Sequence, residues 1–299
     1  MTSRREFLQW SAGAAVTAAV GTSFARETSP VKLKKAVKYG MIGVPGSPKD
    51  KLEAIKRVGF LGVEIDSPSK LNLDELIAAS KDTGIKIHGV VDSIHWQDTL
   101  SSPNEAIRAK GLAGLRTAIK DAQKVGADTA LLVPGVVNKE VSYEQCWERS
   151  TAEVKKAIPD AEKAGVKIAI EVVWNNFITK PEQLVEYVDQ FKSPWVGAYF
   201  DCSNMLKYGV PAATWIRTLG KRMLKMDFKG FSIAKAKASG KEYDGFNVGI
   251  GEGDENWPEV LKACAEVGYN TWATAEVRGG DEKWLADVSE RMDKILQLK

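Results

Sequence analysis

The sequence predicts a single α/β domain, a closed (β/α)8 TIM barrel, on three observations. Short β-type runs alternate strictly with longer amphipathic runs, which implies parallel strands joined by right-handed crossovers. Eight such units fit into roughly 270 residues, the size of a closed barrel. The turn after the first strand, "GMIGVPGSPKD", holds neither GxGxxG nor GK[ST], the phosphate loop that usually marks an open doubly wound sheet.

The first strand reads "AVKYGMIGV" (36–44). The helix after it, "SPKDKLEAIKRVG", starts with Ser47 as N-cap and Pro48 at the first helical position, where an N–H would have no partner anyway. "GVEID" (62–66) and "IKIHGVVD" (85–92) are the second and third strands. "AIRAKGLAGLRTAIKDAQKVG" then repeats apolar residues at helical spacing and leads into "DTALLVP" (128–134). "KIAIEVV" (167–173), "VGAYFD" (196–201), "MLKMDFKG" (223–230) and "TWATAEV" (271–277) complete the set. Gly59, Gly84, Gly126, Gly165 and Gly268 close helices, because glycine enters the left-handed conformation without a Cβ clash.

Residues 1–25 read as an export signal, 26–35 as a lead-in and 36–299 as the barrel. "TSRREFLQW" precedes the weakly hydrophobic "SAGAAVTAAVGTSFA", which ends in the small-residue pattern Ser23-Phe24-Ala25. Arg4-Arg5, with Ser3 before and Phe7-Leu8 after, resembles a bacterial twin-arginine signal, so a periplasmic or cell-envelope location is expected. The apolar stretch is shorter than the ~20 residues that span a bilayer, so no stable membrane insertion is expected after cleavage. The 299 residues are 44% hydrophobic and 27% charged, and the net charge of +3 is spread without basic blocks, which argues against nucleic acid as a partner. Cys146, Cys202 and Cys264 form no CxxC pair and read as packing thiols.

Function is sought at the strand ends toward the helices, where barrel chemistry resides. Five strands carry an acid there: Glu64, Glu171, Asp201, Asp227 and Glu276. Strand alternation puts Trp272, Thr274 and Glu276 on one face and Ala273 and Ala275 on the other, which suits the face under the helices. The same parity turns Lys225, Asp227 and Lys229 inward. Carboxylates converging on one mouth repel each other unless protons or a divalent cation neutralise them. All-oxygen ligands favour Mn2+ or Mg2+. Asp66 and Asp92 read instead as helix caps.

These acids, together with "NVGIGEGDENWPEVLKACAEVGYNTWATAEV" (247–277), resemble the sugar isomerase/epimerase superfamily with a xylose isomerase-like barrel. The resemblance implies a divalent metal held by Glu171, Asp201, Asp227 and Glu276, with Glu171 and Glu276 also acting as the catalytic acid/base pair. It further implies a Gly251-Glu252-Gly253 loop followed by Trp257, and a substrate-facing position at Asn204, where the family often has histidine. Asp227-Phe228-Lys229 stands where the family usually reads His-x-Lys, so four carboxylates leave negative charge that Lys225 and Lys229 are placed to offset.

Such a centre would interconvert sugars by moving a proton beside a carbonyl through an enediolate, with the metal stabilising the charge. The expected activity is metal-dependent isomerisation or epimerisation of a sugar or keto-sugar. Two alternatives share the equipment: elimination from a 3-keto-glycoside, and a non-catalytic carbohydrate-binding barrel. A small carbohydrate is the expected partner, contacted by Glu64, His95, Asn204, Lys229, Trp174 and Glu252, with tryptophans such as Trp96, Trp174 and Trp257 stacking on sugar faces. His88, mid-strand, reads as a packing histidine, and Trp147, Trp215 and Trp284 as packing residues. The oligomeric state is left open.

Overall fold

A computed structural model describes residues 31–297, so the expected export signal lies outside the described residues. The chain runs β1 (Lys34–Lys38), α1 (Pro48–Arg57), β2 (Gly62–Ser67), α2 (Leu73–Thr83), β3 (Lys86–Asp92), α3 (Glu105–Val125), β4 (Thr129–Leu132) and α4 (Tyr143–Ala164). It continues with β5 (Lys167–Glu171), α5 (Pro181–Asp189), β6 (Val196–Asp201), α6 (Ala212–Leu219), β7 (Met223–Phe228), α7 (Ile233–Ser239), α8 (Trp257–Val267), β8 (Trp272–Ala275) and α9 (Glu282–Leu296). The strands form one closed parallel barrel in sequence order, β8 returning to pair with β1. The expected (β/α)8 barrel is therefore the fold. The short helix α7 lies within the long connection from β7 to α8.

Several strands end earlier than their apolar text suggests. β5 stops at Glu171, although Val172 and Val173 stay buried, because the chain leaves the ladder to start a loop while its side chains still pack. β1 begins at Lys34, inside the expected lead-in, and turns at Tyr39–Met41 into a short 3-10 segment. Ser47 caps α1 through a reciprocal capping box with Asp50, and Gly84, Gly126, Gly165 and Gly268 take the left-handed C-cap as expected. Asp66 and Asp92 are not caps: Asn72 and Asn104 hold the N-termini of α2 and α3, and both acids instead line the barrel mouth.

The main hydrophobic core lies between the outer strand faces and the helices. The three cysteines are buried and free. Among the described residues, the apolar cluster inside the barrel is small: Leu131, Ala169 and Tyr199, with Val91 and Leu224 against it. The remaining inward positions are largely polar. Toward the strands' N-terminal end, His88 stacks on Trp272 with 4.6 Å between ring centres and meets the Thr274 hydroxyl at 3.2 Å. Lys225 also points that way, its Nζ 2.7 Å from Asp128 and donating to the His88 carbonyl. Lys225 therefore does not offset the acids at the mouth, because its side chain runs down the barrel rather than up.

Candidate functional site

The C-terminal ends of β5, β6 and β7, with the residue after β8, bring Glu171, Asp201, Asp227 and Glu276 together. Each offers one carboxylate oxygen, and these four oxygens all lie within 4.8 Å of one another. Scattered over more than a hundred residues of chain, they meet because the strands place them at one level of the closed barrel. Glu171, Asp201 and Asp227 are buried and Glu276 is partly open.

Two lysines are built into the acid ring. Lys229 Nζ lies 2.6 Å from Glu276 Oε2 and 3.3 Å from Asp201 Oδ2. Lys38, at the end of β1, pairs with Glu64 and stands 3.0 Å from Asp227 Oδ2. The Tyr199 hydroxyl sits between Asp227, at 2.8 Å, and Glu64, at 3.0 Å. Lys38 and Tyr199 escaped the sequence reading, yet both carry the signal that marked Glu171. Lys38 interrupts an apolar strand, and Tyr199 lies two residues before Asp201 and so shares its inward face. Glu64 does not line the open cavity. It is buried beneath it and orients Lys38 and Tyr199, so its expected contact with substrate is replaced by a supporting one.

The electrostatics divide the two glutamates. Burial drives the Glu171 carboxyl well above the ordinary range, and the neighbouring Glu276 and Asp227 push the same way. Burial also acts upward on Glu276, but Lys229 and Lys38 together outweigh it and hold that carboxyl at about 2. For Lys38 burial favours the neutral amine, and the charges of Asp227 and Glu64 overcome it, so its pKa ends well above the usual lysine value. Two nearby carboxyls with opposite proton preferences are the arrangement that acid/base pairs use.

The ring fits a divalent cation. Asp201 Oδ2 and Asp227 Oδ2 are buried without a well-directed hydrogen bond, and the donors are all hard oxygens. The other Asp201 oxygen is fixed by the backbone N–H groups of Ser203 and Asn204, each at 2.7 Å, which leaves Oδ2 aimed into the ring.

Above the ring opens a cavity of about 770 Å³, whose walls include Lys38, Glu171, Asn204, Lys229 and Glu276 at its floor and His95, Trp96, Trp174, Tyr243 and Phe246 higher up. His95 Nδ1 accepts from the Val133 N–H at 3.4 Å, so the proton sits on Nε2, and burial, with Lys38, pulls its pKa down to about 4. Trp174 donates its indole N–H to the Asn204 carbonyl at 2.5 Å. Trp257 is buried against Phe228, so it packs at the start of α8 rather than lining this cavity. Glu252 also lies outside it, in an adjoining groove, bound to Arg291 at 2.7 Å and to the Gly249 N–H at 2.9 Å. Glu255, another residue the sequence reading passed over, accepts from the Ser203 hydroxyl and the Phe231 N–H and so staples the loops after β6 and β7.

Comparison with known proteins agrees with this architecture. Residues 52–295 match a family model described as xylose isomerase-like TIM barrel. L-ribulose-5-phosphate 3-epimerase UlaE of Escherichia coli (strain K12) is 27% identical over 167 residues, which is 52% of this chain and 59% of that protein. The chain thus spans less than two thirds of the length of that curated relative. Among solved structures, D-psicose 3-epimerase from Clostridium cellulolyticum H10 superposes with a TM-score of 0.71 at 22% identity, over 88% of this chain and 98% of that one. The 3-keto-D-glucoside 4-epimerase YcjR from E. coli gives a TM-score of 0.74 at 15% identity, over 89% of this chain and all of that one. At these identities the two structures share the fold.

Proposed function

Because the chain belongs to the xylose isomerase-like TIM barrel family, we propose that it is a sugar or keto-sugar isomerase or epimerase dependent on a divalent metal, Mn2+ or Mg2+. The observation that carries the proposal is the meeting of Glu171 and Glu276 in one ring with Asp201 and Asp227, at the floor of a cavity of about 770 Å³. Glu171, Asp201, Asp227 and Glu276 would hold the ion. Bound there, it would supply positive charge for the substrate oxygen that becomes negative as the neighbouring C–H proton leaves. Of Glu171 and Glu276, one takes that proton and the other returns one. Lys38 pairs with Glu64 and Asp227 and holds both in place. Lys229, spanning Asp201 and Glu276 and lining the cavity, meets substrate oxygens together with Asn204 and His95.

Glu171→Gln and Glu276→Gln should each lower the rate of deuterium exchange from solvent into a keto-sugar by about 10²–10⁴-fold, followed by NMR. Exchange that survives both substitutions would refute the assignment, and a protein that binds keto-sugar without any exchange would be a binding barrel only. The aromatic residues around the cavity favour one further reading: abstraction beside a 3-keto group can expel the glycosidic oxygen of a glycoside. Release of the aglycone from a 3-keto-glucoside distinguishes this elimination from epimerisation. Export by the twin-arginine route to the periplasm or envelope is proposed on Arg4-Arg5, the weakly hydrophobic stretch after them and the Ser23-Phe24-Ala25 pattern, and is checked by fractionating cells that express the full chain and an Arg4→Lys, Arg5→Lys form.

A further inference from the structure

We propose that the substrate is a two-ring glycoside, a sugar carrying an aglycone or second sugar, and neither a free monosaccharide nor a sugar phosphate. The inference rests on the isomerase/epimerase reading and names the substrate class of that same site.

Among the described residues three large hydrophobic side chains are exposed, and two of them, Trp96 at 51% and Tyr243 at 70%, stand on the walls of this one cavity. Trp96 follows β3 and Tyr243 lies in the connection after β7. Three strands lie between β3 and β7 in either direction round a closed barrel of eight, so the two rings rise from opposite sides of the mouth. Tyr243 belongs to a platform: its ring centre is 4.7 Å from that of Trp174, and Phe246 is 5.0 Å from Trp174. The indole N–H of Trp174 is tied to Asn204, which fixes the platform above the acid ring. The cavity thus has two chemical zones, a charged floor that handles hydroxyls and carbonyls and an aromatic upper wall that offers ring faces. Its volume of about 770 Å³ falls in the range of ~300–1,000 Å³ that suits drug-sized ligands. One sugar ring engaged at the floor leaves the upper wall without a partner, whereas a second ring stacks there.

Phosphate finds no comparable welcome. Lys38 and Lys229 are the cations lining the cavity, and each is already shared by two carboxylates. A dianion in this mouth would meet the field of the acid ring.

The test is calorimetric titration of the Mn2+-loaded full chain with methyl β-D-glucopyranoside, phenyl β-D-glucopyranoside and glucose 6-phosphate. The phenyl glucoside should bind about tenfold tighter than the methyl glucoside, equivalent to roughly 1.4 kcal/mol, and glucose 6-phosphate no tighter than the methyl glucoside. Combining Trp96→Ala with Tyr243→Ala should bring the phenyl-to-methyl ratio to within twofold, and Trp96→Phe alone should retain most of it. Equal affinities in the unaltered protein, a ratio indifferent to the alanine pair, or tightest binding of the phosphate would each overturn the glycoside assignment. Failure here with Glu171-dependent exchange intact on a free keto-sugar refutes the substrate class and leaves the isomerase reading standing. A retained phenyl preference with no exchange or elimination on any keto-sugar or keto-glycoside refutes the isomerase reading instead.

Discussion

Asp92 shows how much a single buried acid can matter. Its Oδ1 accepts from the Ile94 N–H, and its Oδ2 is buried without a partner. Burial therefore pushes the carboxyl up to about 7, with the Ile94 bond opposing and Asp98 adding to the shift. Between the unfolded value near 3.8 and this folded value the native protein binds a proton that the unfolded chain does not. Its stability consequently falls as pH rises through that window. Asp92→Asn removes the titration, so the melting temperature of the variant relative to the unaltered protein should rise between pH 5 and pH 8. The difference should be worth on the order of 1–3 kcal/mol, read by calorimetry, and a pH-independent difference would contradict it. A sequence alone shows an acid after a strand; whether it caps a helix or is buried beside one depends on where α3 lies, and that is set by tertiary packing. Asn104, twelve residues further on, turned out to be the cap.

Strands and helices were readable because period-two and period-3.6 patterns arise locally, as do the glycine stops. Strand ends were less so, since apolar side chains such as Val172 and Val173 keep packing after the ladder ends. At the site, Glu171, Asp201, Asp227 and Glu276 were legible through inward parity. The partners Lys38 and Tyr199 were not singled out, and the vertical direction of Lys225 could not be read, because a long side chain on an inward position runs up or down according to its neighbours. Inside the barrel these charges need space, and β3 provides it at Gly89. A Cβ there would collide with the Glu64 carboxylate and sit 3.1 Å from Thr129 Oγ1. Gly89→Ala should therefore displace Glu64, loosen its hold on Lys38, and cost about 1–3 kcal/mol of stability by overpacking. Urea unfolding checks the loss, and an unchanged midpoint would show that Glu64 moves freely.

At the scale of the whole barrel, five carboxylates and two ammonium groups share the upper interior: Glu64, Glu171, Asp201, Asp227 and Glu276 against Lys38 and Lys229. Their residual repulsion opposes folding, and a divalent cation that bound only the native state would relieve it. Adding Mn2+ at about a hundred times its Kd should stabilise the protein by about 2.7 kcal/mol. For a domain of this size that is a rise of several degrees in melting temperature. Asp201→Asn should diminish the rise, and an identical rise in that variant would place the ion elsewhere. Beneath this ring Tyr199, fully buried with Leu131 and Ala169 around it, closes the interior like a bung. Nothing can pass from one end of the barrel to the other, so arrival and departure share a single doorway. A molecule held at the ring would enter and leave at this one end of the barrel, where Trp96 and Tyr243 stand, and whatever grips it there would also govern how soon the chamber is vacated.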